Sequence, residues 1–357
     1  MVRLGFNHVD LATMDMAATK DFYTNILGFP VVRSDIIERE TGGYAEHVFF
    51  DAGGGQMIAF AGLEHLKEGV PENLDTGINR GLGVRDGVYH FAFEAGSEDA
   101  HGRALWCLGK AVAYLDDPGH LAMSTTLFKK ALRVAEDFRS PRAIAFCLVG
   151  LHAYLHTFSG DSDVRRILEV LAERLFKQFE NHGTDDWPWL ENAVNYANGK
   201  LPHALLICGH RMQRDDMTDM GLGVLKWLLS IQTEDKHFVP IGSNGWYERS
   251  GPRARFDQQP VETKDMVEAC IEAFKITRDQ VWFEGAVMCF NWFLGHNDLN
   301  MSLYDPKTGG CRDGLMADGI NQNQGAESTL AWLLSLMTLQ KLYADAILNQ
   351  WPSQKTN

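Results

Sequence analysis

Strand-like alternation and helix-like spacing of apolar residues take turns over about the first hundred positions, after which only helical spacing remains. The segment from Gly5 to Ala12 alternates as a strand. Asp15 to Leu27 follows as an amphipathic helix, stopped by Gly28-Phe29-Pro30. Val31 to Ile37 is extended again, and two further strands, His47 to Ala52 and Met57 to Ala61, flank the turn Gly53-Gly54-Gly55. The order is βαβββ. A polar stretch from Glu64 to Arg85 then leads to another strand, Val88 to Glu94, placed like the first strand of a second copy.

Beyond residue 98 the periodicity predicts helices near 100–115, 121–137, 141–158, 162–180, 199–213, 216–232, 260–276, 279–294 and 324–348. Most are joined by short turns, which favours antiparallel pairs. The connections 233–259 and 295–323 are long and rich in Gly, Asn and Asp, as binding or lid loops are. Both precede helices of the same parity, so an alternating inner and outer arrangement brings them out at one end.

At 357 residues the chain suits two domains, and the change of period puts the boundary between 1–98 and 99–357. No apolar run approaches the ~20 residues of a membrane span, and Met1-Val2-Arg3-Leu4 runs into a strand pattern with no signal peptide before it, so a cytoplasmic location is expected. The six cysteines, at 107, 147, 208, 270, 289 and 311, have no C-x-x-C spacing and read as reduced core residues. A formal charge of −14 opposes nucleic acid and anionic membrane, whereas neutral sugars suit a surface of carboxylates and indoles.

Two resemblances follow from particular motifs. Phe6-Asn7-His8-Val9-Asp10-Leu11, the segment from Phe22-Tyr23 to Leu27-Gly28-Phe29, and Val88-Tyr89-His90-Phe91-Ala92-Phe93 resemble the vicinal oxygen chelate superfamily of glyoxalases, bleomycin-resistance proteins and dioxygenases. That resemblance implies a half-barrel of paired modules holding a divalent metal, with His8 and His90 at the first-strand ligand positions. The strand Gln56 to Ala61 lacks the glutamate that would complete such a set. The second resemblance is carried by His101 to Trp106, Trp187-Pro188-Trp189-Leu190-Glu191, Leu201 to Leu206, Arg255 to Glu262 and Gly309 through Thr329. These segments resemble the α/α toroids of the six-hairpin glycosidase superfamily, of the kind associated with glycosyltransferases. A full toroid of that type has about twelve helices, so the expected fold is α+β in two domains: a βαβββ glyoxalase-like module and an incomplete six-hairpin barrel. The N-terminal module or a second subunit, in a homo-oligomer, would close the open side.

Cleaving a glycosidic bond needs a proton donor and a second carboxylate. The candidates are Glu191, beside two indoles; Asp257 and Glu262, which bracket Gln258-Gln259-Pro260 at a helix start; and Glu327, in the first turn of the last helix. Hydroxyl recognition is expected from Trp187, Trp189, His203, Trp246, Gln258, Gln259, Asp313, Asn323 and Gln324. Solvated carboxylates, helix capping and core packing are the competing roles for these residues. The expected function is hydrolysis of small β-linked galactosides, glucosides or mannosides, without a cofactor. A metal-dependent glyoxalase or dioxygenase working through His8 and His90, or a carbohydrate-binding module without turnover, are the alternatives.

Overall fold

The structure is a computed structural model that describes residues 8–13, 15–38, 44–53, 56–62, 84–85, 88–89 and 97–348. The chain divides into two compact units, Met1–Ser97 and Glu98–Asn357.

The first unit builds one βαβββ module. Strand β1 (His8–Thr13) is followed by α1 (Met16–Asp21), whose N-cap Asp15 accepts a hydrogen bond from the Ala18 amide at 2.8 Å. A π-helical turn over Phe22–Ile26 extends the helix, and strands β2 (Val31–Glu38), β3 (Tyr44–Gly53) and β4 (Gln56–Gly62) complete the module. The sheet order is β1-β4-β3-β2, with β1 parallel to β4 and the other pairs antiparallel. Alternate residues Val48 and Phe50 of β3 point into a small core with Met16 and Phe60, against which Tyr23 and Phe29 pack. Val84–Arg85 and Val88–Tyr89 form a short hairpin; the rest of the strand expected over 88–94 lies outside the described residues.

The second unit is helical. Nine α-helices lie within its described residues: α2 (Glu98–Tyr114), α3 (Pro118–Leu132), α4 (Pro141–Thr157), α5 (Ser162–His182), α6 (Lys200–Met212), α7 (Asp215–Ile231), α8 (Pro260–Thr277), α9 (Gln280–Asn291) and α10 (Ala326–Leu348). Their starts are written in local chemistry: Asp117, Asp161 and Asp279 cap α3, α5 and α9, and prolines open α3, α4 and α8. Helices α2, α4, α6, α8 and α10 pack each against the next, while α3, α5, α7 and α9 each pack on the helix before them. That alternation of inner and outer helices is the toroid arrangement.

Burial follows the same order. In α4 every residue from Arg142 to Leu151 is buried, as a helix surrounded by others requires. Inner helices α2 and α4 approach so closely that a Cβ on Gly102 would stand 2.5 Å from the Ala143 carbonyl, and Gly109 and Gly150 meet backbone to backbone. Five of the six free cysteines are buried, and Cys107 is exposed, outside the core position expected for it. Among the described residues no helix is long and apolar enough to cross a membrane.

Candidate functional site at the starts of the inner helices

The segment between α5 and α6 is held from inside by its own indoles. Trp187 Nε1 donates to the Glu191 carbonyl at 2.9 Å and Trp189 Nε1 to the Ala193 carbonyl at 3.0 Å, and both rings are buried among Phe179, Trp227 and Tyr247. With Trp187 5% and Trp189 0% exposed, neither can stack on a sugar; their role is packing, which corrects the expectation from sequence. The same brace leaves the Glu191 side chain, 29% exposed, on the buried Arg142 at the start of α4. Arg142 Nη1 donates to both Glu191 oxygens at 2.8 and 2.7 Å, its Nε reaches the Tyr196 carbonyl at 2.5 Å, and its guanidinium lies 4.6 Å from the Tyr196 ring centre.

Helix α8 contributes a charged face to an otherwise buried environment. Lys200, at the start of α6, is fully buried and pairs with Asp265 at 2.9 Å and with Glu268, while Lys264 pairs with Asp265 at 2.7 Å. The Lys200 and Lys264 ammoniums sit 4.9 and 4.8 Å from the Trp106 ring centre. Burial alone would raise the Glu268 carboxyl, but the two lysines outweigh it and hold the group down to about 2. Arg103 on α2 is opposed by burial, yet Asp99, hydrogen-bonded at 2.8 Å, together with Asp265 and Glu327, keeps it above the ordinary arginine value. Burial raises the Tyr196 hydroxyl, which also feels Asp99, Arg142, Arg103 and Glu191. Glu191 and Glu327 thus belong to one electrostatic neighbourhood with Arg103, Arg142 and Tyr196.

The remaining candidates divide by what already holds them. Glu262 is 1% exposed, and its oxygens accept from the Ala197 amide at 2.5 Å, the Asn198 amide at 3.3 Å and the Asn198 side chain at 2.8 Å. A carboxylate so enclosed braces the α6 start instead of meeting a glycosidic oxygen. Gln258 is likewise fully committed: its amide donates to the Arg255 carbonyl and to Asp298, and accepts from Trp292 Nε1 at 2.7 Å. Asp313 takes the Gly325 amide at 2.6 Å and the Asn323 side chain, and Gln324 bonds Thr308 and Asp305, so these three fasten the loop before α10. Trp246 sits in left-handed backbone at φ 58° and packs partly buried on the core.

His203 is buried with Nδ1 making no hydrogen bond and lying 4.0 Å from Glu268, and burial, reinforced by Lys200, drives its pKa well below the ordinary histidine value. Asp257, Gln259, Glu327 and Trp246 are the candidates whose side-chain polar atoms make no hydrogen bond or salt bridge among the described residues. Gln259 is extended at φ −116° and ψ 140°, immediately before the proline that opens α8.

His8 falls in β1, where it pairs by backbone with Met57; His90 lies outside the described residues. Strand β4 contains no carboxylate, and no group of three or more metal-binding side chains forms among the described residues. Two imidazoles fit a catalytic divalent ion poorly, since such sites take three protein ligands and an open position.

Residues 5–177 match the family model of the Glyoxalase/Bleomycin resistance protein/Dioxygenase superfamily, a match that runs past the βαβββ module into α5. No curated protein matches the chain. Among solved structures, the chain resembles a D-mannose isomerase with a TM-score of 0.51 at 12% identity, covering 69% of this chain and 72% of that one. It also resembles a family 76 glycoside hydrolase (mannosidase) of Bacteroides thetaiotaomicron VPI-5482, with a TM-score of 0.50 at 9% identity over 73% of this chain and 76% of that one. A glyoxalase-like N-terminal region is thus joined to a helical unit whose fold is similar to that of these two structures. It is the helical unit, with its charged inner wall, that carries the candidate site.

Sequence patterns missed Arg142, Tyr196, Lys200, Lys264, Asp265 and Glu268. The available signal was in α8, where Asp265, Glu268 and Glu272 recur at three- and four-residue spacing within a helix otherwise too apolar for a solvent face.

Proposed function

We propose that the helical unit binds and hydrolyses a small glycoside at the starts of its inner helices. One observation carries the reading. Trp106 Nε1, Arg142 Nη2, Asp99 Oδ1 and His203 Nδ1, on the inner helices α2, α4 and α6, are buried polar atoms without a hydrogen-bond partner among the described residues. Buried groups of this kind are ordinarily satisfied, so a set on successive inner helices is accounted for by a ligand or water rich in oxygen. A pyranose supplies hydroxyls that both donate and accept.

In this reading Glu327, unpaired at a helix start, delivers the proton to the leaving oxygen, and Glu191, oriented by Arg142 through both of its oxygens, activates water. Asp257 and Gln259 contribute hydroxyl contacts. The β-linked galactosides, glucosides and mannosides are the proposed substrates, and the mannosidase-like fold argues for assaying α-linked ones beside them. Release of nitrophenol from paired α- and β-aryl glycosides tests the proposal. Glu327→Gln and Glu191→Gln should each lower turnover by about 100-fold or more, the contribution expected of a positioned acid or base. Unchanged turnover in both variants would refute the assignment. Sugar binding with no turnover in the wild type would instead identify a carbohydrate-binding module.

A further inference from the structure

A separate cavity of about 280 Å³ lies between outer helix α9 and the hairpin of Thr233–Glu234 with His237–Phe238. Its polar lining is Lys236, His237, Glu284, Asn291 and His296. The side chains of Lys236, Glu284, Asn291 and His296 make no hydrogen bond or salt bridge among the described residues, so the cavity gathers donors and acceptors that the protein leaves open. One wall is apolar, from Phe283, Val287 and Met288.

His237 is the oriented member. Its Nε2 lies 2.8 Å from Asp298 Oδ1, and the Asp298 side chain is only 4% exposed. Burial would raise the Asp298 carboxyl, but hydrogen bonds from His237, Arg255 and Gln258 outweigh it and keep the group below its ordinary value, hence ionised. An ionised carboxylate only accepts, so Nε2 carries the hydrogen and Nδ1 is the ring atom left for a ligand. Nδ1 has no partner among the described residues and is not among the fully buried, unsatisfied atoms, so it is open to a ligand. The hairpin that carries His237 turns through Asp235 at φ 46° and Lys236 at φ 66°, two left-handed positions without glycine, a strain that clamps often hold.

We propose that this cavity is a second binding site, for a neutral polyhydroxylated ligand of monosaccharide size, with His237 Nδ1 accepting from a ligand hydroxyl. The mixture of groups selects that class. An anion would face Glu284 with Lys236 as the one permanent cation in the lining, and a cation would face Lys236. Hydroxyls satisfy both donors and acceptors, and the apolar wall takes the C–H face of a pyranose.

The site is independent of the inner-helix reading, because the experiment measures binding and not turnover. Methyl α- and β-pyranosides of glucose, galactose and mannose are titrated into the full chain by calorimetry, with the ¹⁵N shift of His237 Nδ1 followed in parallel. At least one pyranoside should bind and move the Nδ1 resonance. His237→Phe, which removes the acceptor, and Met288→Trp, which fills the cavity without touching a polar group, should each weaken that affinity at least tenfold, while Glu327→Gln leaves the Nδ1 response intact. Absence of any pyranoside that moves the Nδ1 resonance, whether or not sugars bind elsewhere on the chain, would overturn the proposal.

Discussion

Glu262 offers a quantitative test of how the inner helices are held together. Burial, with the Asp265 charge adding to it, pushes its carboxyl from 4.5 up to about 7, against the pull of the Ala197 and Asn198 amides and of Arg142. The folded state therefore holds this proton more tightly than the unfolded chain does. The stabilisation is fully present below pH 4.5 and is lost as pH rises through about 7. A shift of 7 − 4.5 = 2.5 pH units corresponds to about 3 kcal/mol. Two histidines slope the other way in an overlapping window: His152, pushed down to about 3, and His203, well below its ordinary 6.5, both cost stability as pH falls below 6.5. Total stability will therefore not show the effect, and the difference between the wild type and Glu262→Gln isolates it. Urea unfolding of both proteins at pH values from about 4 to 8 should show the wild-type advantage shrinking by about 3 kcal/mol towards the alkaline end. A difference constant to within about 0.5 kcal/mol over that range would refute the assignment of a near-neutral, proton-binding carboxyl at this position.

Lys200→Met should cost about 3–5 kcal/mol in chemical denaturation, because Asp265 and Glu268 are then left buried without the cation that pairs with both; a loss below about 1 kcal/mol would mean the cluster takes up water. Gly109→Ala should lower stability by more than about 2 kcal/mol, since its Cβ would enter the Gly150 backbone on α4. Gly223→Ala, on α7 with nothing within 4 Å of the added carbon, should raise it by about 0.5–1 kcal/mol. Thermal unfolding of the two glycine variants checks both signs, and equal effects would argue against the tight α2 and α4 approach.

Helix positions were readable because their determinants are local. Asp161 and Ser162 mark the start of α5 in the sequence as in the structure, and Pro260 opens α8 where the spacing predicts it. The βαβββ order of the first unit was readable for the same reason, although Tyr44 to Glu46 extend β3 beyond the start expected at His47. Side-chain direction in the loops was not readable. Trp187 and Glu191 stand four residues apart in one motif, and nothing local tells which faces the core; the structure puts the indole inside and the carboxylate on Arg142. Arg142 itself was hidden at the edge of an apolar run, where a buried cation has meaning only once its distant partner is known.

The inner wall makes the limit of pattern reading explicit. Spacing rules assume that a helix has one face in water and one in the core, so charge marks the outside. Helix α8 breaks that assumption: Glu262, Lys264 and Asp265 are all nearly inaccessible, yet charged side chains occupy its first turns. Such groups persist only where opposite charges or hydrogen bonds answer them, as Lys200 answers Asp265 and the Asn198 amide answers Glu262. Charges inside an all-round-buried helix therefore point to a polar interior shared with neighbouring helices. In this protein the same argument leads from α8 to Lys200 on α6, to Trp106 and Arg103 on α2, and so to the wall on which a sugar would be bound.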